Sequence, residues 1–332
     1  MFKAFKSIVD LMKTFPDQDT CLSHLELIIW NNTPVSPFDT ASVVYSCGNH
    51  RYKCRNSNKY FNVLTGTVFE NTKIPLQTWF LAMYIMTSHK KGISSYQLAS
   101  DLSITQKSAW FLLSRIRECM EHSSFAKNFN GTVEMDEAYI GGKNKNRHKD
   151  KKKPGTGGRS YEDKQPVFGM FQNEVSEIVY RSHKYNPEIA VKEKVIHQPA
   201  VVRTEVVAST KGETLLPIIR TKVENGSIVV TDEYNMYKNL NTDYTHKVVY
   251  HRLQNYVTCE GFTTNRVEGH WSILKKTWGT TYAGRVTEKH LHRYCREIDY
   301  RFNTRHLETN EKFDLLLQGT NKRLRYSDLI KK

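Results

Sequence analysis

The sequence lacks any run of about 18 to 20 apolar residues, the length needed to cross the hydrocarbon core of a bilayer. Its amino-terminal segment, MFKAFKSIVDLMK, carries charges through the apolar positions and has no small-residue cleavage site. This pattern predicts an amphipathic helix and argues against a secretory signal peptide. We therefore expect a protein with no membrane partner that works in the cytoplasm.

The sequence is also poor in cysteine, with six residues scattered along the chain, which fits reduced thiols. A zinc ribbon needs two Cys-x2-Cys knuckles, but the corresponding segments read SPFD from Ser36 and CRNS from Cys54. We therefore predict that residues 35–70 form a degenerate zinc-ribbon-like module held by its aromatic residues, without zinc. The alternative is an incomplete metal site that combines Cys54 with Cys47 and His50.

Acidic residues are fewer than basic ones. The sequence has 49 Lys and Arg residues and 34 Asp and Glu residues, which gives a formal net charge of +15. This excess favours a polyanionic partner, nucleic acid above all, although a merely basic surface would explain the charge alone equally well. A Gly- and Lys-rich loop containing Lys143, Lys145 and Arg147 follows the first acidic motif and would suit a phosphate backbone. A solvated linker is the other interpretation of that loop.

The amino-terminal third is predicted to be largely helical outside the small β-rich module. Residues 1–34 have helical patterns, and residues 71–125 have apolar residues at helical spacing. Within the second stretch, a short helix at 94–101, a tight turn and a helix capped by Thr105 predict a helix-turn-helix that binds DNA. The positions expected to face a groove are Gln106, Lys107, Ser108 and Arg115. An ordinary three-helix bundle is the alternative.

The remainder of the chain changes from strand-rich to alternating patterns. Strands are predicted at 131–136, 166–172, 176–182, 200–208, 227–231 and 246–251, and helices at 212–223, near 233–240, at 264–278 and at 287–304. Three strands followed by alternating helices and strands is the order of a ribonuclease-H-like mixed sheet with flanking helices. We predict this domain over 131–305, a carboxyl-terminal tail over 306–332, and an α+β or α/β class for the whole chain. Residues 182–199 are predicted to be an insertion of unassigned role.

Three acidic residues occupy positions that such a sheet would bring together. Asp136 ends the first strand, Asp232 ends the strand predicted at 227–231, and Glu268 lies in the first turns of a later helix. Two carboxylates at strand ends and a third from a helix can converge on hard divalent cations, which take oxygen ligands and leave room for phosphate oxygens. A carboxylate favoured only by the helix dipole is the alternative for Glu268.

The helix that carries Glu268 has two faces. Its polar face is predicted from Asn265, Glu268, Ser272 and Lys275, and its apolar face from Val267, Trp271, Leu274 and Trp278. One face is expected to bind ligand and the other to pack. The neighbouring acids Glu134, Glu137 and Glu233 are predicted to point to the opposite strand face or beyond the strand end, and His251 and His270 to be structural.

The motifs around these residues are VEMDEAYIGGK from Val133, TDEY from Thr231 and NRVEGHWSILK from Asn265, with TGTVFE from Thr65 and KGISS from Lys91 upstream. In these segments and in their order the chain resembles the DDE transposases of bacterial insertion sequences, in the ISXO-type group that is also similar to eukaryotic Merlin elements. The resemblance covers about residues 20 to 305, and the eroded zinc ribbon departs from it.

The resemblance implies an enzyme that cuts double-stranded DNA at the ends of an insertion sequence and joins the freed 3′-hydroxyl to target DNA by in-line attack at phosphorus. It implies two Mg²⁺ ions, replaceable by Mn²⁺, bound by Asp136, Asp232 and Glu268. Asn265 would orient Glu268 or replace it, Lys275 would contact phosphate, and Lys276 would contact DNA. A homodimer or higher oligomer at the bacterial nucleoid is expected, because two DNA ends must be paired.

Two other functions remain open at this point. One is a catalytically inactive DNA-binding protein derived from a transposase, against which the intact acidic triad argues. The other is a ribonuclease-H-like endonuclease that hydrolyses DNA without strand transfer. The predicted helix-turn-helix discriminates between a transposase and such a nuclease, because recognition of element ends needs sequence readout.

Overall fold

The computed structural model describes residues 5–121, 125, 127–142, 148–151, 164–183 and 186–331. The predicted DNA contacts Lys143, Lys145 and Arg147 lie outside the described residues. Contacts divide the chain into a first unit, Met1–Ser124 with Thr304–Lys332, and a second unit, Phe125–Asn303. Within the described part of the chain, no helix has the length and apolar character to span a membrane.

The first unit begins with helices and a small sheet. In chain order its elements are α1 (Ile8–Thr14), α2 (Gln18–Trp30), β1 (Val44–Ser46), β2 (Tyr52–Cys54), β3 (Tyr60–Phe61), α3 (Leu76–Ser88), α4 (Ser95–Asp101) and α5 (Gln106–Cys119).

The second unit follows, and the chain then returns to the first. Its elements are β4 (Thr132–Ile140), β5 (Gln165–Gln172), β6 (Val175–His183), β7 (Asn186–Gln198), β8 (Val201–Val206), α6 (Gly212–Lys222), β9 (Ile228–Asp232), a 3₁₀-helix (Asn235–Thr242), β10 (Thr245–Val249), α7 (Asn265–Thr280) and α8 (Glu288–Asn303). The helix predicted near 233–240 is thus of the 3₁₀ type. The last helices, α9 (Thr309–Gln318) and α10 (Tyr326–Ile330), belong to the first unit.

The small sheet is antiparallel in the order β1-β2-β3, and aromatic rings cover it. Trp30 lies with its ring centroid 5.4 Å from that of Tyr52 and 6.0 Å from that of Phe61. Buried Cys54 lies among serine hydroxyls, which lower the pKa of its thiol to about 6. His50 instead pairs with Glu26, Nδ1 to Oε1, at 3.0 Å. The resemblance to a zinc ribbon stays a prediction.

The carboxyl-terminal segment that the sequence set apart as a tail forms part of the first unit's core. Phe313 on α9 is fully buried, with its ring centroid 5.2 Å from those of both Phe5 and Phe80. Asp314 next to it accepts a hydrogen bond from buried His24 at 2.9 Å. The segment is ordered here because its apolar residues complete a core that the amino-terminal helices leave open.

The main sheet of the second unit has five strands in the order β10-β9-β4-β5-β8. Strands β4, β9 and β10 are parallel to one another, whereas β5 is antiparallel to both β4 and β8. On one side of the sheet, an apolar layer joins Phe168 to Leu215 and Ile219 of α6. On the other side, a second layer joins Phe171 to Trp271 of α7 and to apolar residues of α8. The predicted mixed sheet with flanking helices is therefore confirmed.

The predicted strand at 176–182 exists, but it does not join this sheet. It is part of β6, which pairs only with β7 in a separate two-stranded hairpin inserted between β5 and β8. The insertion predicted at 182–199 contains β7, but the sequence pattern could not separate β6 from the strands of the main sheet, because β6 also carries apolar residues. Ile178 and Tyr180, however, are more than half exposed.

Candidate functional site

Two of the predicted acidic residues lie on neighbouring parallel strands. Asp232 ends β9 as predicted, but the prediction that Asp136 ends its strand is wrong, because β4 continues to Ile140 in its pairing with β5. β4 and β9 pair in parallel with Thr132 opposite Ile228 and Glu134 opposite Val230, so the same register continued places Asp136 beside Asp232. Both aspartates line one cleft of about 590 Å³. The other residues lining the cleft are Glu137, Ala138, Tyr139, Lys164, Thr210, Tyr234 and Lys275. The structure thus brings two predicted carboxylates and the predicted lysine to one place.

The two aspartates lie in a largely buried setting beside other carboxylates. The pKa of Asp136 is raised to about 6, chiefly by burial and also by the negative charges of Asp232 and Glu268, while hydrogen bonds from the Glu137 N–H and from Trp271 oppose the rise. Burial likewise raises the pKa of Asp232, with Glu233 and Glu268 acting in the same direction. Several oxygen donors of like charge in one half-buried cleft form an environment that a bound cation would stabilise.

Asp136 is held by a group that the sequence analysis assigned only to packing. The indole Nε1 of Trp271 donates a hydrogen bond to Asp136 Oδ2 at 3.0 Å. Gly169, the partner of Asp136 across the β4–β5 ladder, makes room for this ring, because a Cβ at that position would lie 2.5 Å from the Trp271 ring. A glycine in the middle of a predicted strand was the available signal of close approach.

Glu134 performs a structural task that corrects the sequence prediction. Residues i and i+2 of a strand share a face, so Glu134 points toward α7 as Asp136 does, and not away from it. Its Oε2 accepts hydrogen bonds from the backbone N–H groups of Arg266 at 2.9 Å and Val267 at 3.2 Å. Its Oε1 lies 3.3 Å from Arg266 Nη1. Burial raises the pKa of Glu134, and these contacts oppose that rise. Strand β4 therefore supplies the amino-terminal cap of α7.

Glu137 and Glu233 also have defined partners. Glu137 accepts a hydrogen bond from the buried Tyr237 hydroxyl on the other side of the sheet, as its strand position predicts, yet it also lines the cleft. Burial raises the pKa of Glu137 to about 8. Glu233 accepts hydrogen bonds from the backbone N–H groups of His251 at 2.8 Å and Arg252 at 3.2 Å.

Glu268 lies in the first turn of α7, but its carboxylate is engaged outside the cleft. It accepts a hydrogen bond from the Thr264 hydroxyl at 2.7 Å and lies 3.3 Å from His251 Nε2. Asn265 is exposed at the start of the same helix and, like Glu268, does not line the cleft. Over the described ranges of the chain, no three His, Cys, Asp or Glu side chains meet in a group that could hold a metal ion.

The predicted DNA-contacting residues of the first unit differ in their surroundings. Lys107 is exposed, whereas Gln106 donates a hydrogen bond to the Ser95 hydroxyl at 2.9 Å and Ser108 contacts the capping Thr105. The expectation that Arg115 is exposed is wrong.

Arg115 is only 7% exposed, because its side chain is used inside the first unit. Its guanidinium lies 4.3 Å from the Phe111 ring centroid, and its Nε donates a hydrogen bond to the Leu324 carbonyl at 3.1 Å. In the second unit, Lys276 is exposed on α7.

Comparison with known proteins finds a matching family and sequence relatives of this chain. Residues 128–303, slightly more than half of the chain, match the family described as the ISXO2-like transposase domain. The chain is 26% identical over 302 residues, covering 87% of its length and 92% of its relative, to a protein described as uncharacterized in transposable element ISH50 of Halobacterium salinarum. It is 32% identical over 114 residues to an uncharacterized transposase-like protein of Haemophilus influenzae, covering 32% of this chain and 85% of that protein.

Among solved structures, a pre-cleavage Mos1 transpososome aligns with 68% of this chain and 77% of its own, at 11% sequence identity and a TM-score of 0.20. The Mos1 strand transfer complex aligns with 68% of this chain and 76% of its own, at 10% identity and a TM-score of 0.17. Similarity at this level carries no argument about the present chain.

Proposed function

Because the chain belongs to the ISXO2-like transposase family, we propose that it is an active insertion-sequence transposase that cleaves DNA at the element ends and joins them to target DNA. The observation that carries this proposal is the position of Asp136, in the middle of β4, beside Asp232, at the carboxyl end of the parallel strand β9, in a cleft that also contains Lys275. The strand order, with β4 central and β5 and β8 antiparallel on one side, supports a ribonuclease-H-like catalytic domain.

The donor set fits hard divalent cations, Mg²⁺ first and Mn²⁺ as a substitute. The donors in the cleft are carboxylate oxygens, which these ions prefer, and burial together with the negative charge of neighbouring carboxylates raises the pKa values of both aspartates. Asp136 and Asp232 would hold the ions, and Glu268 would join them on leaving Thr264. Bound there, the ions would supply the charge that activates an attacking hydroxyl and stabilises a leaving oxygen.

The side chains around the cleft then have distinct tasks. Trp271 fixes the orientation of Asp136 through its indole N–H, so one oxygen of that carboxylate is held in place. Lys275 lies on the same helix and lines the cleft, where its ammonium group would bind a phosphate oxygen of the scissile strand. Glu134 fixes the start of α7 and with it the helix that carries Glu268 and Lys275. Asn265, exposed in the same first turn, would orient Glu268.

DNA is the proposed partner, as double-stranded element ends and target. The net charge of +15 favours a polyanion, and we propose that α4 and α5 form a helix-turn-helix that reads the ends. Lys107 in the first unit and Lys276 in the second are exposed cations suited to phosphate. A homodimer or higher oligomer on DNA is proposed because strand transfer must pair two ends.

A cleavage and strand-transfer assay tests the proposal. Purified protein with Mg²⁺ or Mn²⁺ is incubated with DNA carrying the ends that flank its gene, beside Asp232→Asn and the control Asp243→Asn. Asp243 pairs with Arg220 at 2.9 Å and precedes the amino-terminal end of β10, whereas Asp232 lies at the carboxyl end of the neighbouring parallel strand β9, so the same chemical change at Asp243 should leave activity intact.

Three outcomes separate the candidate functions. Metal-dependent nicking and joining that is lost only in Asp232→Asn supports the transposase. Specific binding with no product under either metal would favour an inactive DNA-binding relative, and nicking without joining would favour an endonuclease. Thermal unfolding shows whether Asp232→Asn is folded. A loss of folding would show that the aspartate has a structural role instead.

A further inference from the structure

The hairpin formed by β6 and β7 has two faces of different chemistry. Residues directly opposite each other in an antiparallel pair share a face. Ile178 opposite Lys194 and Tyr180 opposite Lys192 therefore lie on one face, and Val179 opposite Glu193 lies on the other. We call the first of these the lysine face.

The ionisable side chains of the second face contact one another in pairs. Arg181 Nε lies 2.7 Å from Glu193, and His197 Nε2 lies 3.1 Å from Glu177. The lysine face instead combines its two lysines with three large apolar side chains that are more than half exposed, namely Ile178, Tyr180 and Ile196. An isolated two-stranded hairpin gains little from exposing such residues, which indicates that this face contacts another molecule.

A basic cleft separates the lysine face from the start of α7. It has a volume of about 530 Å³ and is lined by Glu174, Ser176, Ile178, Lys192, Lys194 and Arg266. Three cations thus face a single carboxylate, Glu174, which pairs with Lys194. The side chain of Arg266 is 48% exposed although its partner Glu134 is fully buried, so the guanidinium presents one side to the cleft.

This cleft lies close to the proposed catalytic carboxylates in the structure of the second unit. Arg266 contacts Glu134, which lies two residues before Asp136 on β4, a distance of about 7 Å along a strand. Arg266 is also two residues before Glu268 on α7. A strand of DNA held at Arg266 would therefore need only a short path to the Asp136–Asp232 cleft.

We propose that the lysine face and Arg266 bind the sugar-phosphate backbone of the DNA duplex that enters the catalytic cleft. This inference rests on the proposed function. The cations would contact phosphates, while Tyr180 and the two isoleucines would pack against the sugars. A second copy of this chain is a poorer occupant, because it carries the same positive excess, +15, and would bury lysines against cations.

The test compares two charge deletions on opposite faces of the hairpin. Lys192→Gln and Arg181→Gln each remove one positive charge from an exposed position, and only the first lies on the lysine face. Binding of a labelled duplex carrying the element ends is measured as a function of salt concentration, with the full chain. Loss of one phosphate contact lowers the slope of log K against log salt by about 0.9.

We expect that reduction, with a several-fold weaker affinity, for Lys192→Gln and an unchanged slope for Arg181→Gln. Tyr180→Ala should weaken binding at an unchanged slope, because it removes no charge. Thermal unfolding checks that each variant is folded. We expect folding to be kept, because the three substituted positions are exposed.

The outcomes keep this inference separate from the proposed function. If wild-type protein cleaves the duplex while Lys192→Gln and Tyr180→Ala bind it as wild type does, the lysine face is not a DNA surface and the function stands. If sedimentation shows that these two variants lose self-association and bind DNA unchanged, the face joins copies of the chain and the inference is overturned. If the wild type neither binds nor cleaves DNA, both proposals fail.

Discussion

Replacing Glu134 tests whether one buried carboxylate ties the strand of Asp136 to the helix of Glu268. Glu134→Ala leaves the backbone N–H of Val267, a buried residue, without its acceptor and removes the ion-pair partner of Arg266. An unsatisfied buried donor costs about 1–3 kcal/mol, and a lost helix cap about 0.5–2 kcal/mol. Because these two costs overlap, we expect the free energy of unfolding to fall by about 2–4 kcal/mol.

Glu134→Gln should behave differently, and the contrast identifies the role. The amide oxygen can still accept from the helix N–H groups, and the neutral side chain avoids the cost of burying charge that raises the pKa of Glu134. We therefore expect Gln to change the free energy of unfolding by less than about 1.5 kcal/mol, the net value of a typical hydrogen bond. Glu205→Ala is the control, because Glu205 lies in the same sheet and makes a 3.4 Å ion pair with Lys222 at its edge.

Urea unfolding and single-turnover cleavage are measured on all four proteins. A misplacement of about 1 Å costs roughly 100-fold in rate, so folded Glu134→Ala should cleave about that much more slowly, while Gln and the control stay within about 10-fold of wild type. Glu134→Ala with wild-type stability and wild-type cleavage would refute the reasoning. Equal losses for Ala and Gln would show that the negative charge matters and not the cap.

Three further predictions concern the same unit. Gly169→Ala should lower the free energy of unfolding by about 1–3 kcal/mol through overpacking and should slow cleavage, because the new Cβ displaces the Trp271 ring; a wild-type urea midpoint would contradict this. In the folded, metal-free protein the pKa of Glu137 is raised from 4.5 to about 8. Its carboxyl group therefore contributes fully to stability at low pH, and this contribution is lost as the pH rises from 4.5 to about 8. Glu137→Gln should therefore flatten the dependence of the unfolding free energy on pH there, and an unchanged slope would refute the assignment. Mg²⁺ should raise the melting temperature of the wild type more than that of Asp232→Asn, since only a site that binds the folded state stabilises it; equal shifts would argue against the site.

Local chemistry made some features of the fold predictable. The Thr105 cap, the start of α5 and the two faces of α7 were confirmed, because capping and periodicity act over a few residues. The family resemblance inferred from the acidic motifs was likewise confirmed by the match over residues 128–303.

Features that depend on distant partners could not be predicted. Arg115 looked exposed from its helix position, but the carbonyl that it contacts belongs to Leu324, 209 residues away. Glu134 caps α7 by accepting from the backbone N–H of Arg266, 132 residues later. Periodicity reports that a residue is buried or exposed on one face, but it does not name the group that covers that face. The same limit explains why β6 was placed among the strands of the domain, although residues 182–199, which contain β7, were predicted to be an insertion.

The contacts between β4 and α7 bear on how the third carboxylate would reach the cleft. Glu134 fixes the backbone at Arg266 and Val267, and Trp271, one turn further on, is fixed to Asp136. Because Glu268 lies between these two points, its backbone is held on both sides, and its carboxylate can change partners only by rotating about its own side-chain bonds. To do so, the Glu268 carboxylate must leave the Thr264 hydroxyl, at 2.7 Å, and His251 Nε2, at 3.3 Å. Such an exchange breaks one hydrogen bond to a charged group, with a net strength of about 1.5–3 kcal/mol, together with the His251 contact, and binding of a divalent cation by the carboxylate would offset this loss. The position of Glu268 outside the cleft is therefore compatible with a role as the third carboxylate.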